Sequence, residues 1–367
     1  MSIHFHSVHV KEIKHETADC ISVEFEIPES LKESFQFNPG QSLTMRTTIN
    51  GREVRRTYSL CSSPLDKEWK VAIKRMEGGL FSTFANQALK AGDAIELMEP
   101  VGKFYPKLNS SNKKNYLAFA AGSGITPVIS IIKTTLHTEP NSFFSLVYGN
   151  RSRSSIIFFE ELEGLKNKFL SRFNFINILS REKTDAPINF GRIDRVKLNE
   201  LSPLIDYFHT DETFICGPEE MIFCVKDFLI ERGISEKKIH FELFTTAGQK
   251  KKPVTSEGIL TGRKQKSGIE SGPASKITVK LDGRSFDFAL PLSSNTPILD
   301  AALQQGADLP FACKGGMCCT CKARLLEGEV EMDVHWGLEH EEIEKGYILT
   351  CQSHPKTEKV VVDFDIK

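Results

Sequence analysis

The chain has 367 residues, of which 40% are hydrophobic and 26% are charged, and its formal net charge at pH 7 is -1. This length predicts two or three domains of about 150 residues, each large enough to bury its own core. A net charge near zero gives no indication of nucleic-acid binding, which usually needs a strongly basic surface.

Neither a targeting segment nor a membrane span is expected. Residues 1–14 contain histidines and lysines and lack the apolar core of a signal peptide. The longest apolar stretch, residues 116–132, contains Gly122, Gly124 and Pro127, which predict a strand, a turn and a helix. The nine cysteines are odd in number, which disfavours a disulfide framework. We therefore expect a cytoplasmic protein that does not cross a membrane.

Residues 1–106 predict an antiparallel β-barrel. Short runs at residues 20–27, 42–48 and 69–74 alternate apolar and polar side chains. Pro-Gly and Asn-Gly turns separate the runs, as in antiparallel barrels.

Two motifs in this region suggest a flavin site. Arg56 can fork onto a pyrophosphate, Tyr58 can stack on an isoalloxazine ring, and Ser59 can hydrogen-bond to the ring edge. A Gly-x-x-Ser turn at residues 79–83 precedes a helical segment, and a helix N-terminus favours phosphate. Each motif alone is weak, because an Arg-x-Tyr-Ser sequence is usually an ordinary strand and a Gly-Gly pair an ordinary turn.

Residues 112–246 predict an α/β domain with a parallel sheet. A strand at residues 116–121 runs into a glycine turn and an apolar helix, and further strands at residues 143–148, 173–179 and 213–216 alternate with helical segments. Such a β-α-β rhythm places ligands at the carboxyl edge of the sheet.

Two turns at that edge are suited to an anionic nucleotide. We expect Thr126 to cap a helix and Pro127 to start it, with the helical N–H groups facing a pyrophosphate. The turn of Gly217 and Pro218 starts a second helix in the same way. Cys216 ends the preceding strand, where we expect a small packing group.

These motifs occur in the order found in the ferredoxin-NADP reductase family, which the chain resembles from residue 1 to about residue 245. The resemblance implies FAD and a nicotinamide nucleotide as cofactors. The implied FAD contacts are Arg56, Tyr58, Ser59, Ser62, Gly79, Leu80, Phe81, Ser82 and Thr83. The implied nucleotide contacts are Gly122, Gly124, Thr126, Pro127, Cys216, Gly217 and Pro218.

The same resemblance implies where hydride transfer takes place. Tyr58 would stack on the flavin, and Thr126 and Cys216 would lie near the transfer path, so these three residues are the candidate catalytic positions. The family often keeps an acidic residue and an aromatic residue close to the flavin, a pattern matched by residues 242–244. No general acid or base is expected, because positioning the two rings is sufficient.

NADPH is favoured over NADH. Relatives that prefer NADPH place a Ser-Arg pair on the 2'-phosphate, and Ser180 and Arg181 follow a strand at the matching place. Arg151 and Arg153 add positive charge nearby in the sequence, although an arginine in a loop is often only solvated.

Residues 247–275 lack apolar periodicity and mix Gly, Ser, Lys, Pro and Thr, which predicts a tether between domains. After it, residues 276–290 alternate around Asp282 and Gly283, which predicts a β-hairpin. Thr296 then offers an N-cap, Pro297 the first position of a helix, and Gly306 its end.

Four cysteines follow with the C-x4-C-x2-C spacing and one distant partner that plant-type [2Fe-2S] clusters use. Gly315 and Gly316 let the backbone approach such a cluster and aim N–H groups at it. Residues 276–367 resemble a plant-type ferredoxin, an α+β domain of the β-grasp type. The predicted ligands are Cys313, Cys318, Cys321 and Cys351.

A structural zinc site and a Rieske centre fit the spacing of the cysteines and histidines less well than a plant-type cluster does. A structural zinc site usually pairs two CxxC knuckles, and only Cys318 and Cys321 have that spacing. A Rieske centre needs a Cys-x-His pair, which is absent, so His335, His340 and His354 are expected at the surface. Residues 327–344 contain eight acidic side chains and no Lys or Arg, which indicates either a solvated face or a docking surface for a basic partner.

The order of a reductase followed by a ferredoxin narrows the resemblance. Residues 310–324, 327–330 and 346–353, with the Gly-Gly-Leu-Phe-Ser turn, resemble the reductase subunits of phenylacetyl-CoA epoxidase complexes. Such subunits pass electrons from the nucleotide through FAD and [2Fe-2S] to a separate di-iron oxygenase, which epoxidises the aromatic ring during phenylacetate catabolism.

Three alternatives remain open from the sequence. An FMN reductase for a Rieske-type dioxygenase can share this domain order, and a reductase for another acceptor, such as a hybrid-cluster protein, has the same chemistry. A pure electron carrier without nucleotide turnover is disfavoured by Arg56, Tyr58 and the glycine turn at residues 122–127.

Overall fold

The computed structural model describes residues 4–244 and 273–366. These residues belong to two compact units, one formed by His4–Phe244 and one C-terminal to it. The predicted tether falls outside the described residues except at positions 273–275, where the first strand of the C-terminal unit already begins at Ala274. None of the helices in residues 4–244 and 273–366 has the length and apolar character required to span a bilayer.

The first part of the N-terminal unit is an antiparallel six-stranded sheet in the order β4-β3-β6-β1-β2-β5. Its two edge strands meet where Leu60 bridges to Val71, and this contact closes the sheet into the predicted barrel. Alternate side chains such as Val23 and Phe25 fill the interior. The elements are β1 (His6–Thr17), β2 (Cys20–Glu26), β3 (Ser42–Ile49), β4 (Arg52–Ser59), β5 (Trp69–Lys74), α1 (Leu80–Gln87) and β6 (Ala94–Leu97).

The second part is the predicted parallel sheet, with five strands in the order β11-β10-β7-β8-β9. Strand β7 lies between β8 and β10, so the winding reverses there, and ligands of such sheets bind outside the carboxyl ends of the strands at this reversal. The elements are β7 (Asn115–Ala121), α2 (Ile125–Thr138), β8 (Phe143–Asn150), α3 (Phe159–Lys168), β9 (Phe173–Leu179), α4 (Arg195–Glu200), β10 (Glu212–Gly217), α5 (Glu219–Glu231) and β11 (Ile239–Leu243).

The predicted start of helix α2 is wrong. The helix begins at Ile125, after a 3-10 turn at Gly122–Gly124, so Thr126 and Pro127 lie inside its first turn. Gly122 has a φ of +55°, which lets the chain tighten before Thr126 is reached. Instead of capping the helix, the Thr126 hydroxyl donates a hydrogen bond to the Ser123 carbonyl at 3.0 Å. Helix α5 follows the predicted Gly217-Pro218 turn, with Pro218 as its N-cap and Glu219 as its first residue, one residue later than predicted.

The C-terminal unit is a mixed five-stranded sheet in the order β13-β12-β18-β14-β16, with a two-stranded β15-β17 ladder beside it. Asp282 and Gly283 have φ angles of +51° and +69°, as a two-residue hairpin of type I' needs, and the predicted hairpin is confirmed. The elements are β12 (Ala274–Leu281), β13 (Arg284–Pro291), α6 (Ile298–Gln304), β14 (Lys322–Glu327), β15 (Val330–Met332), α7 (His340–Glu344), β16 (Tyr347–Leu349), β17 (Ser353–Pro355) and β18 (Lys359–Asp363).

Helix α6 begins one residue later than predicted. Pro297 is the N-cap, with an extended ψ of 154°, and Thr296 lies before the helix with its backbone N–H donating to the Ser294 hydroxyl. Because Pro297 itself has an extended ψ, it cannot be the first helical residue, and it takes the capping position that was predicted for Thr296. Gly306, with a φ of +89°, follows the end of the helix as predicted.

Candidate functional site

The predicted flavin residues lie on strand β4 and on helix α1 of the barrel. The Tyr58 ring packs against the fully buried Phe81 ring, with centroids 5.6 Å apart, so Phe81 supports Tyr58 from within the core. Burial raises the pKa of the Tyr58 hydroxyl well above its usual value, which keeps the phenol neutral. An aromatic face held rigidly in this way is suited to stacking.

The Gly-x-x-Ser turn shapes the start of α1. Gly79 is its N-cap, and a Cβ added there would lie 2.5 Å from the Ser82 Oγ. The Ser82 hydroxyl accepts a hydrogen bond from the Met76 backbone N–H at 3.1 Å. Phe81 and Ser82 are therefore buried parts of the turn, whereas Leu80 is exposed.

Ser59 joins the barrel to the parallel sheet. Its hydroxyl donates to the Glu242 Oε2 at 3.3 Å, and Glu242 lies on β11, 183 residues away in the sequence. This contact brings Glu242, the acidic residue of the segment predicted to lie close to the flavin, to strand β4, which carries the predicted flavin residues. Arg56, on the same strand, is half-buried and donates from Nη1 to the Arg55 carbonyl at 2.6 Å.

Ser62 differs from the other predicted flavin residues. It is buried, its hydroxyl donates to the Glu68 carbonyl at 2.7 Å, and the Lys70 N–H donates to that hydroxyl at 3.2 Å. The hydroxyl proton and one of the two lone pairs of the oxygen are therefore used inside the protein. These contacts support a structural role for the Ser62 side chain in place of a flavin contact.

The predicted nucleotide turns meet at the carboxyl ends of β7 and β10. A Cβ added to Gly124 would lie 2.1 Å from the Cys216 carbonyl oxygen, and one added to Gly217 would lie 3.1 Å from the Ala121 Cβ. At Gly124 only glycine allows the two backbones to approach this closely, and at Gly217 any side chain would force its neighbours to shift. The resulting cradle is the kind of surface that a pyrophosphate needs, so the residues present fit a dinucleotide.

Thr126 and Cys216 shape this cradle from inside. Both are buried, and the Cys216 thiol is fully so, as expected for a packing group. Burial raises the pKa of Cys216 well above the usual range, which keeps the thiol neutral. The Tyr148 hydroxyl donates to the Gly122 carbonyl at 2.8 Å and stabilises the Gly122–Gly124 turn. No sequence motif indicated this role for Tyr148.

The predicted arginines lie together at the same edge of the sheet. The Ser180 N–H donates to the Asn150 carbonyl at 2.9 Å, and the Arg181 N–H donates to the Arg151 carbonyl at 2.8 Å, which joins the loops after β8 and β9. Arg151, Arg153 and Arg181 are all exposed there. Three guanidinium groups on joined loops can attract a phosphate.

In the C-terminal unit, the first two predicted cluster ligands form a pair. The Cys313 N–H points at the Cys318 sulfur at 3.4 Å, and the Cys318 N–H points at the Cys313 sulfur at 3.5 Å. The Gly315 N–H donates to the Cys313 sulfur at 3.3 Å. The Cys318 thiol and the N–H groups of Gly315 and Cys318 lower the pKa of Cys313, and the contact with Cys313 together with burial raises the pKa of Cys318.

The other two predicted ligands form a second, buried pair. The hydrogen bond with the Cys351 thiol, together with burial, raises the pKa of Cys321. The Gln352 side-chain amide lies 3.7 Å from the Cys351 sulfur and donates to the Lys314 carbonyl at 2.9 Å. Within the described residues, no three or more His, Cys, Asp or Glu side chains are arranged so that they could hold one metal ion together. Two cysteine pairs fit two irons, as in a [2Fe-2S] cluster.

A second loop closes over the cysteine loop. Gly316 has a φ of +78°, and a Cβ there would lie 2.7 Å from the Val334 Cγ2. The Gly337 N–H donates to the Gly316 carbonyl at 2.8 Å, and the Cys319 thiol donates to the Gly337 carbonyl at 2.7 Å. The sequence did not indicate Val334, Gly337 or Gln352, although Gln352 directly follows a ligand.

The acidic segment 327–344 has much of its charge balanced by basic side chains outside it. His335 and His340 are exposed, and the His354 Nε2 lies 3.1 Å from Asp333. This balance favours the solvated-face interpretation over the docking surface. The pairs with lysines are Glu327 with Lys359, Glu331 with Lys356 and Glu342 with Lys322.

Comparison with known families agrees with the division of the chain into a barrel, a parallel-sheet part and a C-terminal unit. Residues 7–105 match the oxidoreductase FAD-binding domain, residues 119–227 the oxidoreductase NAD-binding domain, and residues 280–356 the 2Fe-2S iron-sulfur cluster binding domain. The protein is therefore an NAD(P)H-dependent oxidoreductase with FAD and a [2Fe-2S] cluster.

Relatives of known activity define the family. The chain is 43% identical over 364 residues to one of the subunits of 1,2-phenylacetyl-CoA epoxidase of Escherichia coli K12, covering 99% of this chain and 98% of that protein. It is 33% identical to the ferredoxin reductase component of 3-ketosteroid-9-alpha-monooxygenase of Rhodococcus rhodochrous, covering 97% and 95%. The chain belongs to this family of oxygenase reductases, which transfer electrons to oxygenases through FAD and [2Fe-2S].

A solved structure shows the same fold. Phthalate dioxygenase reductase, a modular protein for electron transfer from pyridine nucleotides to [2Fe-2S], superposes with a TM-score of 0.58 at 22% identity, covering 98% of both chains. The predicted combination of a barrel, a parallel sheet and a ferredoxin-like domain is confirmed.

Proposed function

We propose that this chain is the reductase component of a phenylacetyl-CoA epoxidase system, in which it oxidises NADPH and delivers electrons to a separate di-iron oxygenase. The observation that carries the proposal is the 43% identity to the Escherichia coli protein, which extends over 99% of this chain. The resemblance of the cysteine loop and its flanks to such reductases supports the same acceptor.

The barrel residues are proposed to bind FAD. Arg56 binds the pyrophosphate, Tyr58 stacks on the ring, and Ser59, oriented by Glu242, hydrogen-bonds to the ring edge. The turn at Gly79 places the start of α1 beside a phosphate. When bound, FAD accepts two electrons as a hydride and passes them on singly.

The parallel sheet is proposed to bind NADPH. The cradle formed by Gly122, Gly124 and Gly217 receives the pyrophosphate, and Thr126 and Cys216 hold that cradle beside the transfer path. Ser180, Arg181 and the neighbouring arginines receive the 2'-phosphate, which NADH lacks.

Replacing Arg181 by Ala tests the nucleotide preference. Loss of a charge-assisted hydrogen bond costs about 1.5–3 kcal/mol, so the KM for NADPH is expected to rise about tenfold to hundredfold while the KM for NADH stays the same. Arg195, an exposed arginine on α4 that pairs with Glu231, provides the control substitution to Ala. A parallel rise in both KM values would contradict a 2'-phosphate site.

Reconstitution tests the acceptor. The purified chain is mixed with the oxygenase components of a phenylacetyl-CoA epoxidase, and consumption of NADPH is compared with formation of the epoxide. The proposal predicts coupled turnover that requires the chain. Coupled turnover with the oxygenase of a 3-ketosteroid system, and none with the epoxidase, would favour the second relative's activity and overturn the proposal.

A further inference from the structure

Four buried serine and threonine residues join the barrel to helix α2, which starts at the nucleotide turn. The four residues, Ser62, Ser63, Ser130 and Thr134, are each 5% exposed or less. Ser62 and Ser63 lie three and four residues after the end of strand β4, which carries the predicted flavin residues, and Ser130 and Thr134 lie on α2. We call these four residues the seam cluster.

The direction of each hydrogen bond in the seam cluster follows from counting protons. The Ser130 hydroxyl donates to the Ser62 carbonyl at 2.6 Å. The Thr134 hydroxyl donates to the Ser130 carbonyl at 2.7 Å, so its oxygen accepts from the Ser63 hydroxyl, which lies 2.8 Å away. The Ser62 hydroxyl is already used within its own loop. Each proton therefore has one partner, and the arrangement is fully satisfied.

An ion pair reinforces the same contact. The Lys133 Nζ lies 2.7 Å from the Asp66 carboxylate of the barrel and 2.8 Å from Glu161 on α3. Ser130, Lys133 and Thr134 are spaced by three and four residues, so they share one face of α2. That face contacts the barrel loop after β4.

The seam cluster connects the two proposed binding places by a short and stiff path. Ser130 lies five residues after the start of α2 at Ile125, which is about 7–8 Å of helix from the glycine turn. Ser62 lies three residues after Ser59, which is at most about 10 Å along the chain. Few rotatable bonds separate the flavin strand from the nucleotide turn.

We propose that the seam cluster sets the distance between nicotinamide and flavin, so that Ser63, Ser130 and Thr134 are positioning residues for hydride transfer. This inference rests on the proposed placement of FAD on β4 and of the nucleotide at the Gly122–Gly124 turn. Hydride transfer depends steeply on geometry, and a misplacement of about 1 Å can cost about a hundredfold in rate. The polar seam resists that misplacement because each of its hydrogen bonds has a fixed length and direction.

The test measures flavin reduction in the full-length holoprotein. Wild type and the double variant Ser130→Ala/Thr134→Val are mixed anaerobically with NADPH, and bleaching of the flavin absorption is followed by stopped flow. The variant is expected to reduce its flavin about tenfold to hundredfold more slowly at saturating NADPH. The primary isotope effect with NADPH deuterated at the transferred position should increase, while FAD content stays at the wild-type level.

Matched variants separate positioning from stability. Thr135→Val removes a buried hydroxyl from the neighbouring position of α2 that has no hydrogen-bond partner in the part of the chain described, so it should leave the bleaching rate and isotope effect unchanged. The single variant Ser130→Thr keeps the hydroxyl, so it should retain most of the wild-type rate of flavin bleaching. If the double variant does not fold, the single variant Ser63→Ala decides by the same two readouts.

A bleaching rate within twofold of wild type and an unchanged isotope effect would overturn the inference. A rate that falls only in proportion to lost FAD would overturn it as well, because the seam would then be merely structural. Wild type that neither NADPH nor NADH can bleach would instead overturn the proposed function, so the two failures are distinguishable.

Discussion

The two described units assemble their sites in different ways. In the C-terminal unit, three of the four proposed ligands lie within nine residues, from Cys313 to Cys321, and the N–H groups of that loop point at its own sulfurs. In the N-terminal unit, Ser59 meets Glu242 across 183 residues. The cluster site is therefore mostly local in sequence, whereas the flavin–nucleotide site is assembled by the fold.

This difference determines which kind of substitution each site tolerates least. A local site depends on the chemistry of its ligand atoms, because the loop can bring them into position by itself. An assembled site depends on how closely separate backbones approach, because that approach brings its residues together. The following substitutions test this contrast, in order of decreasing expected effect.

Replacing Cys318 by Ser should have the largest effect. An alkoxide is a poor substitute for a thiolate on iron, so the [2Fe-2S] absorption and paramagnetic signal should be lost. Electron delivery to the oxygenase should fall by more than about a hundredfold, which corresponds to about 2.7 kcal/mol or more in activation free energy. FAD content and reduction of ferricyanide by NADPH should persist, because the barrel and sheet do not contain the cluster.

Cys319→Ser is the matched control for that loss. Its thiol donates to the Gly337 carbonyl, a role that a hydroxyl can take over, so the cluster signals should remain. Equal loss of oxygenase and ferricyanide activities in the Cys318 variant would contradict the separation of the two sites.

Replacing Gly124 by Ala tests the assembled site. The added Cβ would lie 2.1 Å from the Cys216 carbonyl oxygen, and backbone must shift to relieve that overlap. The expected cost is about 2–4 kcal/mol in stability, with a rise of at least about tenfold in the Kd for NADPH. Urea unfolding and fluorescence titration measure the two quantities.

Gly164→Ala provides a control in the same sheet domain. Gly164 lies on α3, and a Cβ there meets nothing within 4 Å, so the change should be neutral or stabilising by about 0.5–1 kcal/mol. If both glycine variants retained nucleotide binding, close backbone approach would not be what builds the cradle.

Substitution of Glu212 tests whether charge helps to assemble the amino ends of the strands of the parallel sheet, opposite the carboxyl ends that form the cradle. Its carboxylate accepts from the Lys114 Nζ at 2.9 Å and lies 2.8 Å from the His240 Nε2, so it joins three separate strand ends. Burial alone would raise the pKa of Glu212, but the hydrogen bonds with His240 and Lys114 outweigh it and lower the pKa to about 2.

The sign of the pH dependence follows from that lowered pKa. The contribution of Glu212 is complete above its usual pKa of 4.5 and is lost as pH falls towards 2. Glu212→Gln should reduce the free energy of unfolding by about 1–2 kcal/mol at pH 7, and the difference from wild type should shrink at pH 3.5. A difference that does not depend on pH would contradict a role for the charge.

The sequence by itself determined the fold class, the cofactor types and the cluster motif. Turn residues such as Asp282 and Gly283 specify their own backbone, and the cysteine spacing specifies a [2Fe-2S] loop, because both depend on neighbours in the chain. Periodicity of apolar residues likewise distinguishes the barrel from the parallel sheet, since each pattern reflects one buried face.

Only the tertiary structure decided how the distant parts meet. Thr126 lies inside a helix because the preceding glycine turn tightens against Cys216. The Ser62 hydroxyl donates its proton to the Glu68 carbonyl, a contact that no local motif reveals. The pairing of Ser130 with the Ser62 carbonyl links positions 68 residues apart. Such contacts depend on packing between segments, and the free energy that selects them is available only once the whole unit has folded.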